Sequence, residues 1–180
     1  EIKSLTNNNN DCKSKIESSS IIEVSEYDNV FLDNFESIKY SGLDISKVSF
    51  KKDQNFICME IQKKGDVYPE AEKTSLWFWF DSINKNYTSF AVNIGINLDG
   101  KYRFKLVDTL DHDKDNKKWL TLSKSLINKI TGKKIYLAIP LKNLTLSKRY
   151  RFHFFTHHTK EGSWNTKNGD SNDTNMFLNF

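Results

Sequence analysis

Apolar and polar residues alternate in short segments along most of the chain, and polar turn residues separate these segments. Alternation with a period of two places successive side chains on opposite faces of a strand. A series of short strands joined by turns predicts an all-β fold, an antiparallel β-sandwich with jelly-roll-like connections. The predicted strands span residues 55–61, 76–80, 89–97, 101–107, 134–140, 150–156 and 176–180, with weaker patterns at 21–24 and 48–50. The apolar spacing over 123–130 predicts a short helix.

One hairpin, around Gly100, can be predicted residue by residue. A two-residue turn at Asp99 and Gly100 would place the apolar Ile96 opposite the charged Arg103. A three-residue loop, 98–100, instead places apolar residues opposite one another, and strand register follows the hydrophobic pattern. Gly100 then supplies the positive φ that the bulge in such a loop requires. The expected pairs are Ile96 with Tyr102, Ile94 with Phe104 and Val92 with Leu106.

The same alternation predicts which side chains point away from the core. Over 76–80, two tryptophans face outward, and the outward residues of 89–97 are small or carry amides. Aromatic rings beside amides and a guanidinium suit sugars, whose C–H faces pack on rings and whose hydroxyls need hydrogen-bond partners. In the alternative interpretation, segment 76–80 is buried on both faces and the N-terminal segment covers the tryptophans. The candidate ligand-binding residues are Trp77, Trp79, Asn93, Asn97 and Arg103.

Basic residues number 27 against 23 acidic residues, which gives a formal net charge of +4. Only Arg103, Arg149 and Arg151 are arginines, and the lysines are scattered among Asp and Glu. Proteins that bind nucleic acids concentrate basic residues on one face. We therefore do not expect a nucleic acid as a partner.

Two cysteines, Cys12 and Cys58, lie in different surroundings, the first in a polar stretch and the second in an apolar strand pattern. They either form one disulfide or leave a buried thiol at Cys58 and a loose thiol at Cys12. The sequence does not decide between these alternatives.

Residues 1–20 are polar and low in complexity, so we expect a disordered tail or linker there, followed by one sandwich domain over 21–180. The longest apolar run, 76–80, is too short to cross a membrane as a helix. Glycosylation sequons begin at Asn86, Asn143 and Asn172. We expect a secreted or cell-surface protein without a transmembrane segment.

The segment 111–116 places the carboxylates of Asp111, Asp113 and Asp115 at alternate positions, as in the first half of a Ca²⁺-binding loop. The glycine and glutamate that complete an EF-hand are absent from it, and a solvated acidic turn is the alternative. Ca²⁺ is the single cofactor that the sequence indicates. His153 and His157 would lie about 13 Å apart on one strand, too far to share a zinc ion.

Catalytic motifs are missing from the chain: it has no nucleophile elbow and no phosphate-binding glycine loop. A glycan-acting hydrolase would need two carboxylates converging in a cleft, for example those of Glu60 and Asp81. A non-catalytic protein is therefore the expectation, and the hydrolase stays an alternative.

The segment 134–144, with its Ile-Pro-Leu step at 139–141, and the aromatic segment 150–156 resemble the late strands of family-nine carbohydrate-binding modules and DOMON-like sandwiches. A Ser-Trp loop at 163–164 and a final apolar strand complete this likeness. Upstream, 55–61 and 76–81 are similar to paired strands of that group. The resemblance implies a β-sandwich that binds a ligand, with Trp164 near a ligand-contact position.

Together these features predict a non-catalytic extracellular binding module whose partner is a carbohydrate or glycan. The alternative from a different class is a protein-interaction or structural module of a surface or secreted assembly, which binds another protein or further domains. Under that alternative the same aromatic face contacts a partner chain.

Overall fold

The structure is a computed structural model, and it describes residues 12–18, 29–32, 44–65, 73–97, 99–109, 120–160, 163–165 and 176–180. These residues form two antiparallel sheets packed face to face, which confirms the predicted all-β sandwich. Each sheet has one apolar face turned toward the other sheet, because the strands alternate as the sequence pattern requires.

The elements follow one another as one helix and twelve strands within the described residues. Their bounds are α1 (Cys12–Glu17), β1 (Asn29–Leu32), β2 (Ile45–Lys52), β3 (Phe56–Lys63), β4 (Lys73–Ser82), β5 (Phe90–Asn97), β6 (Tyr102–Asp108), β7 (Leu120–Ser123), β8 (Ile127–Thr131), β9 (Lys134–Pro140), β10 (Arg149–Lys160), β11 (Ser163–Asn165) and β12 (Met176–Asn179), with a single 3₁₀ turn at Leu141–Asn143. Sheet A has the strand order β1-β2-β3-β9-β8. Sheet B has the order β11-β10-β4-β5-β6-β7, and β12 pairs with β10.

The core between the sheets is rich in aromatic rings. Phe50 of sheet A packs edge-on against Phe80 and Phe152 of sheet B, with ring centroids 5.6 and 4.9 Å apart. All three side chains are fully buried. Edge-to-face pairs of this kind add to the free energy gained from burial, so these contacts lock the two sheets together.

The β5–β6 hairpin has the predicted register. Ile96 pairs with Tyr102, Ile94 with Phe104 and Val92 with Leu106. Gly100 has φ +74°, which confirms its place as the positive-φ residue of the loop. Strand β9 ends at Pro140, as expected for a residue that cannot donate to a ladder.

The helix predicted over 123–130 is wrong, because β7 ends at Ser123 and β8 begins at Ile127. Strand β8 is paired with β9 from Ile127 opposite Ala138 to Thr131 opposite Lys134. Pairing with a long partner strand satisfies more backbone groups than a two-turn helix would, so tertiary contacts override the local spacing. The predicted strand over 21–24 lies outside the described residues.

The structure also differs from two details that the family resemblance implies. The segments 55–61 and 76–81 do not pair, because β3 belongs to sheet A and β4 to sheet B. The expected Ser-Trp loop at 163–164 is the short strand β11, which pairs with the end of β10.

Within the segment 1–20, where the sequence predicts a disordered tail or linker, the structure describes residues 12–18, which form helix α1 over Cys12–Glu17. Helix α1 lies on the outer face of sheet A, where Ile16 and Cys12 pack with Tyr136 and Ala138. A disulfide joins Cys12 to Cys58 on β3 and so decides between the two alternatives for the cysteines. Isolated helices this short are unstable in water. The disulfide and the apolar contacts therefore hold α1 in place.

We expect the Cys12→Ala variant to be less stable than the wild-type protein by about 2–4 kcal/mol, because a crosslink restricts the unfolded chain. The two cysteines are 46 residues apart in the sequence, which makes the closed loop long. Urea unfolding followed by tryptophan fluorescence measures the difference. Dithiothreitol should lower the midpoint of the wild type but leave that of Cys12→Ala unchanged. Equal midpoints for the two proteins without dithiothreitol would contradict the stabilising role.

Candidate functional site

The outer face of sheet B carries the tryptophans of β4. Leu76, Phe78 and Phe80 are buried in the core, so Trp77 and Trp79 point to the opposite side, where both are half-buried. The described part of the N-terminal segment, α1, packs on sheet A instead. Helix α1 therefore does not cover the tryptophans.

Strand β10 extends this face with three further rings. Its register places His153 beside Trp79, Phe155 beside Trp77 and His157 beside Ser75. The planes of His153 and Trp79 are 8° apart with centroids at 5.9 Å, and those of Phe155 and Trp77 are 19° apart with centroids at 6.3 Å. We call these side chains the aromatic strip, which consists of Trp77, Trp79, His153, Phe155 and His157.

Sequence reasoning identified the two tryptophans but missed the β10 members of the aromatic strip. The alternation over 150–156 already separates Phe152 and Phe154, which face the core, from His153 and Phe155, which face outward. Only the pairing of β10 with β4 places the second set beside the tryptophans. That pairing joins segments far apart in the chain, so the local pattern does not reveal it.

Next to the aromatic strip, β5 forms the floor of a trough. Its outward residues are Ala91, Asn93, Gly95 and Asn97, which are small or carry amides. Among the atoms of the described residues, a Cβ added to Gly95 would meet none closer than a backbone oxygen at 4.0 Å, so these residues leave space above it. The amide Nδ2 of Asn93 donates to the hydroxyl Oγ of Ser75 at 2.7 Å. This bond fixes the amide at the edge of the trough.

Strand β6 forms the other wall of the trough with the exposed side chains of Arg103 and Lys105. A guanidinium nitrogen of Arg103 donates to Oδ1 of Asn97 at 2.8 Å. Because β5 lies between β4 and β6, the two walls stand about 10 Å apart. The structure thus brings the five predicted residues Trp77, Trp79, Asn93, Asn97 and Arg103 onto one face, and we call the space between β4 and β6 the β5 trough.

A carboxylate and an imidazole meet at one end of the aromatic strip. Nδ1 of His153 lies 3.5 Å from Oδ2 of Asp81. Burial lowers the pKa of His153, although Asp81 acts in the opposite direction. Burial also raises the pKa of Asp81, against the opposing charges of His153 and Arg151. Burial and the neighbouring His158 lower the pKa of His157. Both imidazoles of the strip are therefore neutral at pH 7.

The remaining predicted residues are not placed on this surface. Trp164 belongs to β11 at the edge of sheet B, and its side chain lies outside what the structure describes. Asp111, Asp113 and Asp115, the predicted Ca²⁺ ligands, lie outside the described residues. Within the described ranges, no group of three or more His, Cys, Asp or Glu residues is arranged to hold a metal ion.

Two open clefts lie at one end of sheet A, with volumes of about 600 and 410 Å³. They share Phe56, Pro140 and Lys142, and no carboxylate of the described residues lines either of them. Glu60 and Asp81 face outward from opposite sheets, so the carboxylate pair considered for hydrolysis cannot act on one substrate. These clefts therefore give no support to the hydrolase alternative.

Comparisons with protein-family models, with curated proteins and with solved structures give no match for this chain. The likeness to family-nine carbohydrate-binding modules therefore stays a prediction from short sequence patterns. In the described part of the chain, no helix has the length and apolar character needed to span a bilayer.

We expect the stability of the protein to fall as the pH drops below 6.5, the usual pKa of histidine. A lowered pKa in the folded state means that the unfolded chain binds more protons, so the stabilisation present above pH 6.5 is lost on acidification. Asp81 acts in the opposite sense, since its raised pKa favours the folded state at more acidic pH. Urea midpoints at pH 7.5 and 5.5 measure the effect. The His153→Gln/His157→Gln variant should show a smaller difference between the two midpoints; an undiminished difference would contradict this assignment.

Proposed function

We propose that this protein is a non-catalytic carbohydrate-binding module whose site is the aromatic strip together with the β5 trough. The observation that supports this proposal is the juxtaposition of five near-neighbouring rings with an open, amide-bearing groove on one sheet face. Few soluble proteins leave such an aromatic surface half-exposed without a ligand or partner for it.

The aromatic strip suits the apolar faces of sugar rings. Trp77 and Trp79 have centroids 5.9 Å apart with planes inclined by 32°, and Phe155 lies 6.3 Å from each of them. The indole nitrogen of Trp79 is buried, so this side chain presents carbon to the surface. A pyranose with several axial C–H bonds on one face can pack on such a surface and exclude water from it.

The β5 trough supplies the polar contacts that a sugar also requires. The amides of Asn93 and Asn97 each offer donors and acceptors, and the guanidinium of Arg103 has five donors. Asn93 and Arg103 are already held by hydrogen bonds to Ser75 and Asn97, respectively. Side chains that are fixed before binding lose less conformational entropy when the ligand arrives.

The disulfide between Cys12 and Cys58 supports a secreted or cell-surface location. Disulfides form and persist in oxidising compartments and are rare in the cytosol. Glycans of cell walls, matrices and surfaces are available in such compartments. We therefore propose an extracellular glycan as the ligand, with Ca²⁺ as a cofactor to be tested through Asp111, Asp113 and Asp115.

We expect the purified protein to bind glycans on an array and the Trp77→Ala/Trp79→Ala variant to lose that binding. Two aromatic contacts worth about 1 kcal/mol each correspond to a loss of about 30-fold in affinity. Calorimetric titration with the glycans that bind on the array measures the affinity. Each titration is run with added calcium and with EDTA, so that a contribution of Ca²⁺ is visible.

The Phe56→Ala variant is the matched control, because Phe56 is a half-buried aromatic residue on sheet A and lines both clefts there. It should bind as the wild type does. Loss of binding in Phe56→Ala with retention in a folded tryptophan variant would place the site at those clefts and contradict the proposal. Absence of glycan binding by the folded wild type would favour the protein-interaction alternative for the same face.

A further inference from the structure

All three arginines of this lysine-rich chain lie on the outer face of sheet B. Arg103 projects from β6, and Arg149 and Arg151 project from β10, where the intervening Tyr150 is buried in the core. All three are exposed. Arginine differs from lysine in its planar fork of donors, which matches carboxylate and sulfate groups with two parallel hydrogen bonds.

The charge on this face is unbalanced. Among its described side chains, four are basic, namely Arg103, Lys105, Arg149 and Arg151, and one, Asp81, is a carboxylate. The imidazoles of the aromatic strip add no positive charge at pH 7, since burial lowers the pKa of both. The excess positive charge therefore resides on the arginines and Lys105, at the borders of the aromatic surface.

The four basic side chains differ in the contacts that they already make within the protein. Arg149 lies over the ring of Phe177, with its guanidinium carbon 3.9 Å from the centroid. Arg151 lies opposite Asp81 in the ladder, and its charge opposes the rise that burial causes in the pKa of that carboxyl. Within the described part of the chain, no carboxylate forms an ion pair with Arg103 or Lys105. These two side chains are about 7 Å apart along the same wall of the β5 trough.

The guanidinium of Arg103 is directed toward the trough. Arg103 pairs with Gly95 in the ladder, whereas its side chain donates to Asn97, which lies further along β5. One donor is used in this bond, and four of the five remain for a ligand. Among the described residues, a Cβ on Gly95 would meet no atom closer than 4.0 Å, so these residues leave room beside Gly95 for an acidic group that this guanidinium could bind.

We infer that the ligand is an acidic polysaccharide, with uronate carboxylates or sulfate esters on its sugars. The inference rests on the proposed function, because the sugar ring is placed on the aromatic strip. The acidic group of a ring stacked on Trp77 would reach across the β5 trough to Arg103 and Lys105. Arg151, at the other end of the strip, would attract the same polymer through its charge.

A nucleic acid is also an anionic polymer that packs on aromatic rings, but the surface suits it less well. Proteins that bind single strands track the backbone with basic side chains along the groove. Here Arg103 and Lys105 stand on one wall, and the aromatic strip on the facing side is neutral, with Arg151 only at its end. Oligonucleotide binding is therefore one of the outcomes of the test.

The test compares polymers that differ only in their acidic groups. Polygalacturonate is titrated beside its methyl-esterified form, and dextran sulfate beside dextran, so that carboxylate and sulfate are distinguished. A single-stranded oligothymidylate is included as a third anion. We expect one acidic member to bind at least tenfold more tightly than its neutral counterpart and to lose affinity as salt is added.

The Arg103→Gln variant should bind that acidic polymer about tenfold more weakly and should lose less affinity for the neutral counterpart, so the ratio of the two affinities falls toward one. Lys133→Gln is the matched control, because Lys133 is exposed in the turn between β8 and β9, so the substitution removes one positive charge from the other sheet. It should leave both affinities unchanged. Arg103 is exposed, so the fold of the variant, checked by its urea midpoint, should be intact.

Each contrary outcome overturns the inference in a distinguishable way. Equal affinity for acidic and neutral polymers removes the acidic preference and leaves the carbohydrate module standing. Equal losses in Arg103→Gln and Lys133→Gln would show that net charge, not this site, causes the preference. Tighter binding of the oligothymidylate than of either acidic polysaccharide would indicate that the ligand is a nucleic acid and not a sugar polymer. If neither these polymers nor an array of glycans binds, the proposed function fails as well.

Discussion

The pairing of β4 with β10 is the contact on which both the core and the candidate site depend. The two strands are in register from Tyr150 opposite Ser82 to Thr159 opposite Lys73. One face of this pair buries Phe78, Phe80, Phe152 and Phe154 against sheet A. The other face carries the aromatic strip. A slip of one residue would exchange these two sets, so the hydrophobic drive to bury the phenylalanines also fixes the outward-facing tryptophans in place.

Among the described residues, the two outer faces of the sandwich differ in what packs on them. On sheet A, α1 covers Cys58, Tyr136 and Ala138, and the disulfide holds it there. On sheet B, the outward aromatic residues stay half-exposed and are bordered by amides and basic side chains. A helix of six residues contributes little stability of its own, so its position is determined by the crosslink and by the apolar surface it buries. This asymmetry is one reason why we propose the aromatic face of sheet B as the surface for a ligand.

The chemistry of that surface follows from which polar groups are already paired. Hydrogen bonds within the sheet orient Asn93 and Arg103, while burial keeps the imidazoles of His153 and His157 neutral. The result is an uncharged aromatic wall facing a cationic wall across a floor of small residues. A ligand with an apolar face and a polar or acidic edge is complementary to both walls at once, which is the physical basis of the two proposals.

The sequence by itself determined the features that depend on neighbouring residues. Alternation predicted which side of β4 and β5 faces inward, and matching of apolar residues predicted the β5–β6 register and the role of Gly100. It therefore placed Trp77, Trp79, Asn93, Asn97 and Arg103 on the correct face. Only the tertiary structure decided that β10 adds His153 and Phe155 to the strip, that residues 127–131 form a strand, and that Cys12 is bonded to Cys58. These outcomes depend on contacts between segments distant in the chain, whose energies a local pattern does not contain.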